Sequence, residues 1–242
     1  MGSLEKIVKF NAQTVGREKL IRLCQYTTKF VNSILHLYHT RYGKGGVGLL
    51  ELLYRLRELE QYFISCRRLV SFGRCSDQLY SAMRSMQLND PIIRMTASTS
   101  KFWLSIQMFA EHVLWLNQIG LFKSDKQLWA DRANRFWLYS VSTNLLRDFY
   151  ELICVVQQRR SRDKDNLDSE LRNFKLSTPI KWIKRNPKLS CDLIKNSCDF
   201  WIPYTAVNKI PIHSSVIALL GIISTTMGIL QVYDREYRLS PS

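Results

Sequence analysis

The chain has 242 residues, 46% of them apolar and 23% charged, which excludes a disordered or low-complexity chain and fits one folded domain with or without a membrane element. Its 35 Lys and Arg residues outnumber its 20 Asp and Glu residues, so the net charge is +15. A charge of that size predicts an anionic partner, either a nucleic acid or the negatively charged face of a membrane.

The first long helical pattern begins after Gly16 and keeps apolar residues on one face as far as Tyr38. That face consists of Leu20, Leu23, Cys24, Thr27, Phe30, Ile34 and Tyr38. A glycine-rich segment at 43–48 ends the pattern and predicts a loop or hinge. Because no strand precedes this segment and no Gly-Lys-Ser/Thr follows it, a phosphate-binding loop is not indicated.

The second periodic segment predicts an amphipathic helix over residues 49–72. Six apolar residues fall within one narrow arc of this helix: Leu52, Leu56, Leu59, Phe63, Cys66 and Val70. Polar residues occupy the opposite side, and Arg55 and Arg67 lie near the two boundaries, from which long side chains reach a polar surface. Such a helix either packs on the protein's own core or lies in a membrane interface, and composition alone leaves both interpretations open.

Two later segments are dense in apolar and aromatic residues and are possible membrane-embedded helices. The first, residues 102–122, carries Glu111 near its middle, where a charge costs about 3 kcal/mol for insertion. The second, residues 136–156, contains Arg147 and Glu151, which are spaced to pair on a helix. Helices this apolar, with a few paired charges, are buried either in a bundle or in a membrane.

The last apolar segment, residues 210–233, predicts a transmembrane helix. It contains no Asp, Glu, Lys or Arg, and its 24 residues would span about 36 Å as a helix, enough for a hydrocarbon core of about 30 Å. Its eleven Ile, Leu and Val residues favour insertion by about 5 kcal/mol. Gly221 and Gly228 lie on one face, where small residues predict the close approach of another helix.

A basic stretch precedes this span, from Arg172 to Lys188, and contains no acidic residue. Its cations either form a solvated loop or adsorb to anionic headgroups, at about 1 kcal/mol per cation. Since no segment shows the alternation of a strand, the predicted fold class is all-α: a helical membrane protein with amphipathic helices and a C-terminal transmembrane helix. Residues 1–209 then form a mainly cytosolic, membrane-associated helical region, and residues 234–242 form a short tail.

Five stretches, in the right order along the chain, resemble the peroxin-11 family of peroxisomal membrane proteins. They are residues 9–26, which begin Lys-Phe-Asn-Ala-Gln-Thr; residues 67–74, with Arg-Arg-Leu and Phe-Gly-Arg; residues 112–121, with His-Val-Leu-Trp-Leu; residues 144–151, Asn-Leu-Leu-Arg-Asp-Phe-Tyr-Glu; and residues 196–203, Asn-Ser-Cys-Asp-Phe-Trp-Ile-Pro. The resemblance covers nearly the whole chain from about Lys9 onward, apart from the charged connector at 159–171.

The resemblance implies a protein of the peroxisomal membrane that promotes peroxisome elongation, proliferation and fission. Such proteins self-associate, insert an amphipathic helix into the cytosolic leaflet, and recruit a dynamin-related fission GTPase together with a tail-anchored fission adaptor. Here the residues of the inserted apolar face would be Leu52, Leu56, Leu59, Phe63 and Val70. Those that contact lipid headgroups would be Arg55, Arg57, Arg67 and Arg68. Because both termini of the family are in the cytosol, residues 102–122 or 136–156 are expected to supply a second crossing.

Other functions make different demands on these residues. A pore or metabolite channel, a role also proposed for this family, needs polar residues that line a bundle inside the membrane. Those available are Gln107, Glu111, His112, Asn144, Arg147, Asp148 and Glu151. Nucleic-acid binding is indicated by net charge alone, and the apolar span argues against it. No nucleophile motif or metal-ligand spacing occurs in the sequence, so we expect no enzyme activity, catalytic residue, cofactor or metal site.

Overall fold

The computed structural model describes residues 3–42, 47–162, 186–234, 237 and 239. Within these ranges the chain forms eight α-helices and no β-strand, which confirms the predicted all-α fold class. In chain order they are α1 (Ser3–Ala12), α2 (Thr14–Tyr42), α3 (Val47–Val70), α4 (Arg74–Ser85), α5 (Pro91–Gln118), α6 (Lys126–Arg162), α7 (Pro187–Asn208) and α8 (Ser214–Tyr233). Most of the predicted basic stretch, residues 172–185, lies outside the described ranges, and so do glycine-rich residues 43–46.

The contacts between helices form a closed circuit. α2 packs between α3 and α8, α7 packs between α8 and α6, and α5 packs between α6 and α4. A lighter contact between α3 and α5 completes the circuit, and α1 contacts α2 and α8. The predicted segment 102–122 falls mainly in α5, and the predicted segment 136–156 falls in α6. These two segments are therefore neighbours in the bundle.

An aspartate at the start of α5 fixes the corner that joins α4 to the rest of the bundle. The Asp90 carboxylate accepts hydrogen bonds from the amides of Ile92, at 2.9 Å, and Ile93, at 3.2 Å, as a helix N-cap does. These bonds, that from Ile93 above all, hold the pKa of the Asp90 carboxyl below its ordinary value. The Tyr150 hydroxyl of α6 also donates to Asp90, at 3.1 Å. One side chain therefore caps α5 and fastens it to α6.

Two glycines allow helices to approach more closely than any other residue would permit. A side chain at Gly16 would collide with the backbone carbonyl of Phe10, so the corner between α1 and α2 requires glycine. A side chain at Gly221 would collide with the Tyr26 ring of α2. The close approach predicted from Gly221 is therefore confirmed, and the partner helix is α2. At Gly228 a Cβ would lie 3.4 Å from the Lys19 side chain, which is an ordinary contact.

The C-terminal helix α8 carries no charged residue. Among the described residues it is the one helix long and apolar enough to cross a bilayer, and its 20 residues span about 30 Å. It begins at Ser214, where the His213 ring accepts a hydrogen bond from the Ser215 amide, so Pro211 precedes the helix. Residues 210–213 of the predicted span thus lie outside α8 and are not helical.

The bundle buries charged side chains and leaves large apolar side chains on its outside. Buried charged residues are Glu18, Arg22, Arg147, Asp148, Asp192 and Asp199. α6 exposes half or more of the side chains of Leu146, Phe149, Ile153 and Val156. A soluble bundle shows the opposite distribution, because water drives apolar side chains inward. Charged residues of membrane helices face the bundle interior, and the exposed apolar face of α6 agrees with that arrangement.

Candidate membrane-binding site

Helix α3 is the amphipathic helix predicted over residues 49–72. It begins at Val47 and ends at Val70, two residues earlier at each end than predicted. Its half-buried residues recur every three or four positions, as one face of a helix must. Lys29 of α2 forms an ion pair with Glu60 at 3.9 Å, which shows that this half-buried face is turned toward α2. Helix α3 therefore lies on α2 as a covering element at the edge of the bundle.

The apolar arc of α3 is divided between two environments. Leu56, Phe63 and Val70 are half-buried on the side that faces α2. Leu52 and Leu59, from the same arc, are exposed at 45% and 41%. Because the arc is rotated partly away from α2, the folded protein presents only half of the predicted insertion face to its surroundings. Contact between the whole arc and lipid would require α3 to move off α2.

The four arginines of the predicted headgroup face also fall into two groups. Arg55 is exposed and pairs with Glu51 one turn away, at 2.5 Å, and Arg57 is exposed. Arg67 pairs with Glu111 of α5 at 3.1 Å, and both side chains are mostly buried. Arg68 is half-buried on the same helix. The folded bundle thus leaves two of the four arginines open to headgroups; the membrane role of all nine residues stays a prediction.

The C-terminal end of α3 is fixed to α5. The His112 ring of α5 lies 3.1 Å from the Ser71 carbonyl oxygen, and its centroid lies 4.8 Å from that of the Phe72 ring. Gly73 follows with φ of 81°, a left-handed conformation that ends α3 and that side chains rarely adopt. Helix α3 is thus joined to the bundle through a turn at residues 71–73, and packs elsewhere mainly on α2.

A network of charged side chains joins α6, α7 and α8 inside the bundle. Arg147 donates to Asp148 at 3.1 Å and to Asp192 at 3.3 Å. Asn196 donates to Asp148 at 2.5 Å, and Lys195 pairs with Asp192 at 2.7 Å. Gln231 of α8 also bonds to this network through Lys195 and Asp192. Because buried charges need partners, these contacts fix how the three helices pack.

A second set of buried ion pairs fastens α2 to the bundle. Arg22 pairs with Asp199 of α7 at 2.5 Å, and its guanidinium lies 5.5 Å from the ring of Trp137 on α6. Glu18 pairs with Arg74 of α4. Sequence reasoning missed these residues. The available signal was that Glu18 and Arg22 lie opposite the apolar face of α2, a face that the structure turns outward at Val31, Ile34 and Tyr38.

The seven polar residues considered for a pore all point inward to some degree. Four of them are buried: Gln107, His112, Arg147 and Asp148. The other three are half-buried: Glu111, Asn144 and Glu151. Within the described ranges, no three His, Cys, Asp or Glu side chains lie close enough together to hold a metal ion.

Comparisons with known proteins match the chain along nearly its whole length. The family described as peroxisomal biogenesis factor 11 (PEX11) matches residues 4–233. The peroxisomal membrane protein 11B of Homo sapiens is 27% identical, over 97% of this chain and 98% of its own. The peroxisomal membrane protein 11A of Rattus norvegicus is 24% identical, over 98% and 99%. The peroxisomal membrane protein 11 homolog of Dictyostelium discoideum is 20% identical, over 96% and 95%. No solved structure matches the chain.

Proposed function

The chain belongs to the PEX11 family of peroxisomal biogenesis factors and is a peroxisomal membrane protein, and from this premise we propose that it elongates the membrane by inserting α3 into one leaflet. A helix that lies in the interface enlarges the leaflet it enters, and the area difference bends the bilayer. The family is one of biogenesis factors rather than of enzymes, which agrees with a mechanical role.

The observation that supports α3 as the inserted helix is its divided apolar arc. The exposed residues Leu52 and Leu59 offer apolar area to lipid without any movement of α3. Arg55 and Arg57 are exposed on the same helix and can contact headgroups. Burying one such side chain completely is worth about 1.5–3 kcal/mol. Moving α3 off α2 adds Leu56 and Phe63 to the inserted face. Lipid then replaces the contacts that these two side chains made with α2.

We also propose that copies of the chain self-associate, and that they recruit a dynamin-related fission GTPase with a tail-anchored fission adaptor. Both parts rest on what the resemblance of the five sequence stretches to the peroxin-11 family implies. A bilayer that α3 has curved supplies the narrow tubule on which a fission GTPase can assemble. Elongation and fission would then be successive steps that use the same protein.

The experiment compares two substitutions on exposed positions of α3 in the full-length protein. Leu59→Glu places a charge on the apolar arc, and Gln61→Glu places the same charge on the polar side. Reconstituted into vesicles that contain anionic phospholipid, native protein and Gln61→Glu are expected to form tubules visible by electron microscopy. Leu59→Glu is expected to form few or none. Equal tubulation by both variants would show that α3 is not the inserted helix.

A peptide of residues 49–74 tests insertion without the contribution of α2. In the folded protein Phe63 faces α2, so its replacement could act through folding. The peptide contains no α2, so an effect of Phe63→Glu on the peptide cannot arise from misfolding of the bundle. We expect Phe63→Glu to abolish tubulation of anionic liposomes by the peptide, because a buried carboxylate opposes insertion. A variant peptide that tubulates like the native one would contradict the assignment of Phe63 to the inserted face.

The polar interior favours one second function, a pore or metabolite channel. The charged and amide side chains of α6 and α7 face the centre of the bundle, as residues lining a membrane pathway do. Asn144 lies in this lining and carries no charge, so Asn144→Leu narrows and dries the interior without breaking an ion pair. Native protein in planar bilayers would conduct, and Asn144→Leu would conduct less. Silent native protein would eliminate this function.

A further inference from the structure

The interior of the bundle contains a cavity that neither membrane insertion nor self-association uses. Its volume is about 390 Å³, within the range of pockets that hold small ligands. Six helices contribute to its wall: α2, α4, α5, α6, α7 and α8. Because it lies where these helices meet, its lining comes from side chains that are far apart in the sequence.

The lining of this cavity is rich in cations. It contains Lys19, Arg74, Lys101, Arg147 and Lys195, against the carboxylates of Asp192 and Asp199. Some of these cations are neutralised inside the protein. Arg147 and Lys195 both bond to Asp192, at 3.3 Å and 2.7 Å, and Arg74 pairs with Glu18. Lys101 also has a partner, since it donates to the Ser85 hydroxyl at 2.9 Å.

Lys19 is a lining cation for which the described part of the chain supplies no ion pair within 4 Å. Its side chain lies against α8, where a Cβ built on Gly228 would be 3.7 Å from the Lys19 ammonium nitrogen. The carboxylates of Glu18 and Asp199 attract this ammonium from farther away, but Glu18 pairs with Arg74 and Asp199 pairs with Arg22. An anion in the cavity would give the half-buried Lys19 side chain a direct partner and would stabilise it.

The neutral groups of the wall are also suited to an oxyanion. Side chains with N–H or O–H donors surround the cations: Gln78, Ser81, Ser100 and Asn144. A phosphate group presents three strong acceptor oxygens and up to two negative charges, and binds where ammonium or guanidinium groups combine with such donors. Cations and neutral donors that line one cavity match this ligand better than a neutral metabolite.

We propose that the cavity binds a phosphate group, carried either by a soluble organic phosphate or by the headgroup of an anionic phospholipid, and that Lys19 pairs with it. This site is separate from α3, since no residue of α3 lines the cavity. A bound phosphate would join α2 to α4, α6 and α7. Ligand occupancy would thus stabilise the bundle while leaving the amphipathic helix on its outside.

The test uses the full-length protein in nanodiscs of phosphatidylcholine, a zwitterionic lipid. Inorganic phosphate and glycerol 3-phosphate are titrated, and the midpoint of thermal unfolding is followed. A second series adds phosphatidic acid to the nanodiscs. Saturable stabilisation by the soluble phosphates alone identifies a soluble ligand, and stabilisation by phosphatidic acid alone identifies a lipid headgroup. If neither series stabilises the native protein, the cavity does not bind phosphate and the proposal is overturned.

Two variants tie the effect to the cavity. Lys19→Gln removes the lining charge that has no ion pair of its own, and Lys123→Gln removes the same charge from an exposed position outside the cavity. We expect Lys19→Gln to weaken binding of the stabilising phosphate at least tenfold, and Lys123→Gln to leave it within a factor of two. Without phosphate, Lys19→Gln should unfold close to the native midpoint, because no ion pair within 4 Å is broken. Equal affinities of the two variants, or a large loss of stability of Lys19→Gln without phosphate, would refute the role of Lys19.

Discussion

Helix α3 and the polar interior both contain ion pairs, but the pairs differ in what they hold together. In α3 the exposed pair joins Arg55 to Glu51, one turn apart on the same helix. In the interior, Arg22 pairs with Asp199, 177 residues away in the sequence. A pair within one helix moves with that helix, whereas a buried pair between helices opposes their separation. The distribution of charge therefore distinguishes a part that can move from a part that cannot.

The ion pairs that do connect α3 to the bundle agree with this distinction. Glu60 reaches Lys29 at 3.9 Å, a long distance for a salt bridge. Arg67 reaches Glu111 near the C-terminal end of α3, beside the turn at residues 71–73 where the helix is fixed. If α3 swings outward about this turn, Arg67 moves least and can keep its partner. The rest of the helix exchanges protein contacts for lipid.

The comparison is tested most strongly by removing one cation from each region. Arg22→Leu leaves Asp199 buried without its ion-pair partner, which should lower the free energy of unfolding by about 3–5 kcal/mol. Arg55→Leu breaks an exposed pair and should lower it by less than about 1 kcal/mol. Chemical unfolding of both variants in mild detergent measures the difference. Similar losses would mean that the interior pairs do not hold the bundle together.

A smaller effect is expected from the two glycines of α8. Gly221→Ala forces a methyl group against the Tyr26 ring and should destabilise the contact between α2 and α8 by about 1–3 kcal/mol. Gly228→Ala adds the same methyl group where the nearest neighbouring atom, in the Lys19 side chain, is 3.4 Å away. That variant should unfold close to the native midpoint. The reverse order of stability would contradict the close packing of α2 on Gly221.

The smallest effect is expected from the exposed arginines of α3. Arg55→Gln and Arg57→Gln should each weaken binding to anionic vesicles by about 1 kcal/mol, or about fivefold, and should leave the free energy of unfolding unchanged. Reconstituted full-length protein stays with the vesicles whether or not these arginines bind, so it does not report this change. The measurement is therefore flotation of the α3 peptide with anionic vesicles. Unchanged binding of both variant peptides would remove headgroup contact from the role of these arginines.

Sequence periodicity located α3, because a helix repeats every 3.6 residues whatever surrounds it. It also located Gly221 as a contact, because only small residues permit close approach. It could not show that Arg22 meets Asp199, since a pair so distant in the sequence leaves no local pattern.

Nor could the sequence show which face of α2 is turned inward. The apolar face that includes Ile34 and Tyr38 would be buried in water and exposed in lipid, and a residue pattern does not record the surrounding medium. The same limit applies to α3. Periodicity predicts its apolar arc from Leu52 to Val70, but the division of that arc between α2 and the outside depends on how α3 is rotated on α2.

The most direct test of α3 insertion measures whether its hidden residues reach lipid. Leu52→Cys and Leu56→Cys, each labelled with bimane, are prepared in full-length protein whose native cysteines have been replaced by serine. The label at 52 starts exposed, and the label at 56 starts against α2. In vesicles of anionic, brominated phospholipid, α3 insertion predicts that lipid quenches both labels to the same extent. Quenching of the label at 52 alone would show that α3 stays on α2 and would contradict the account.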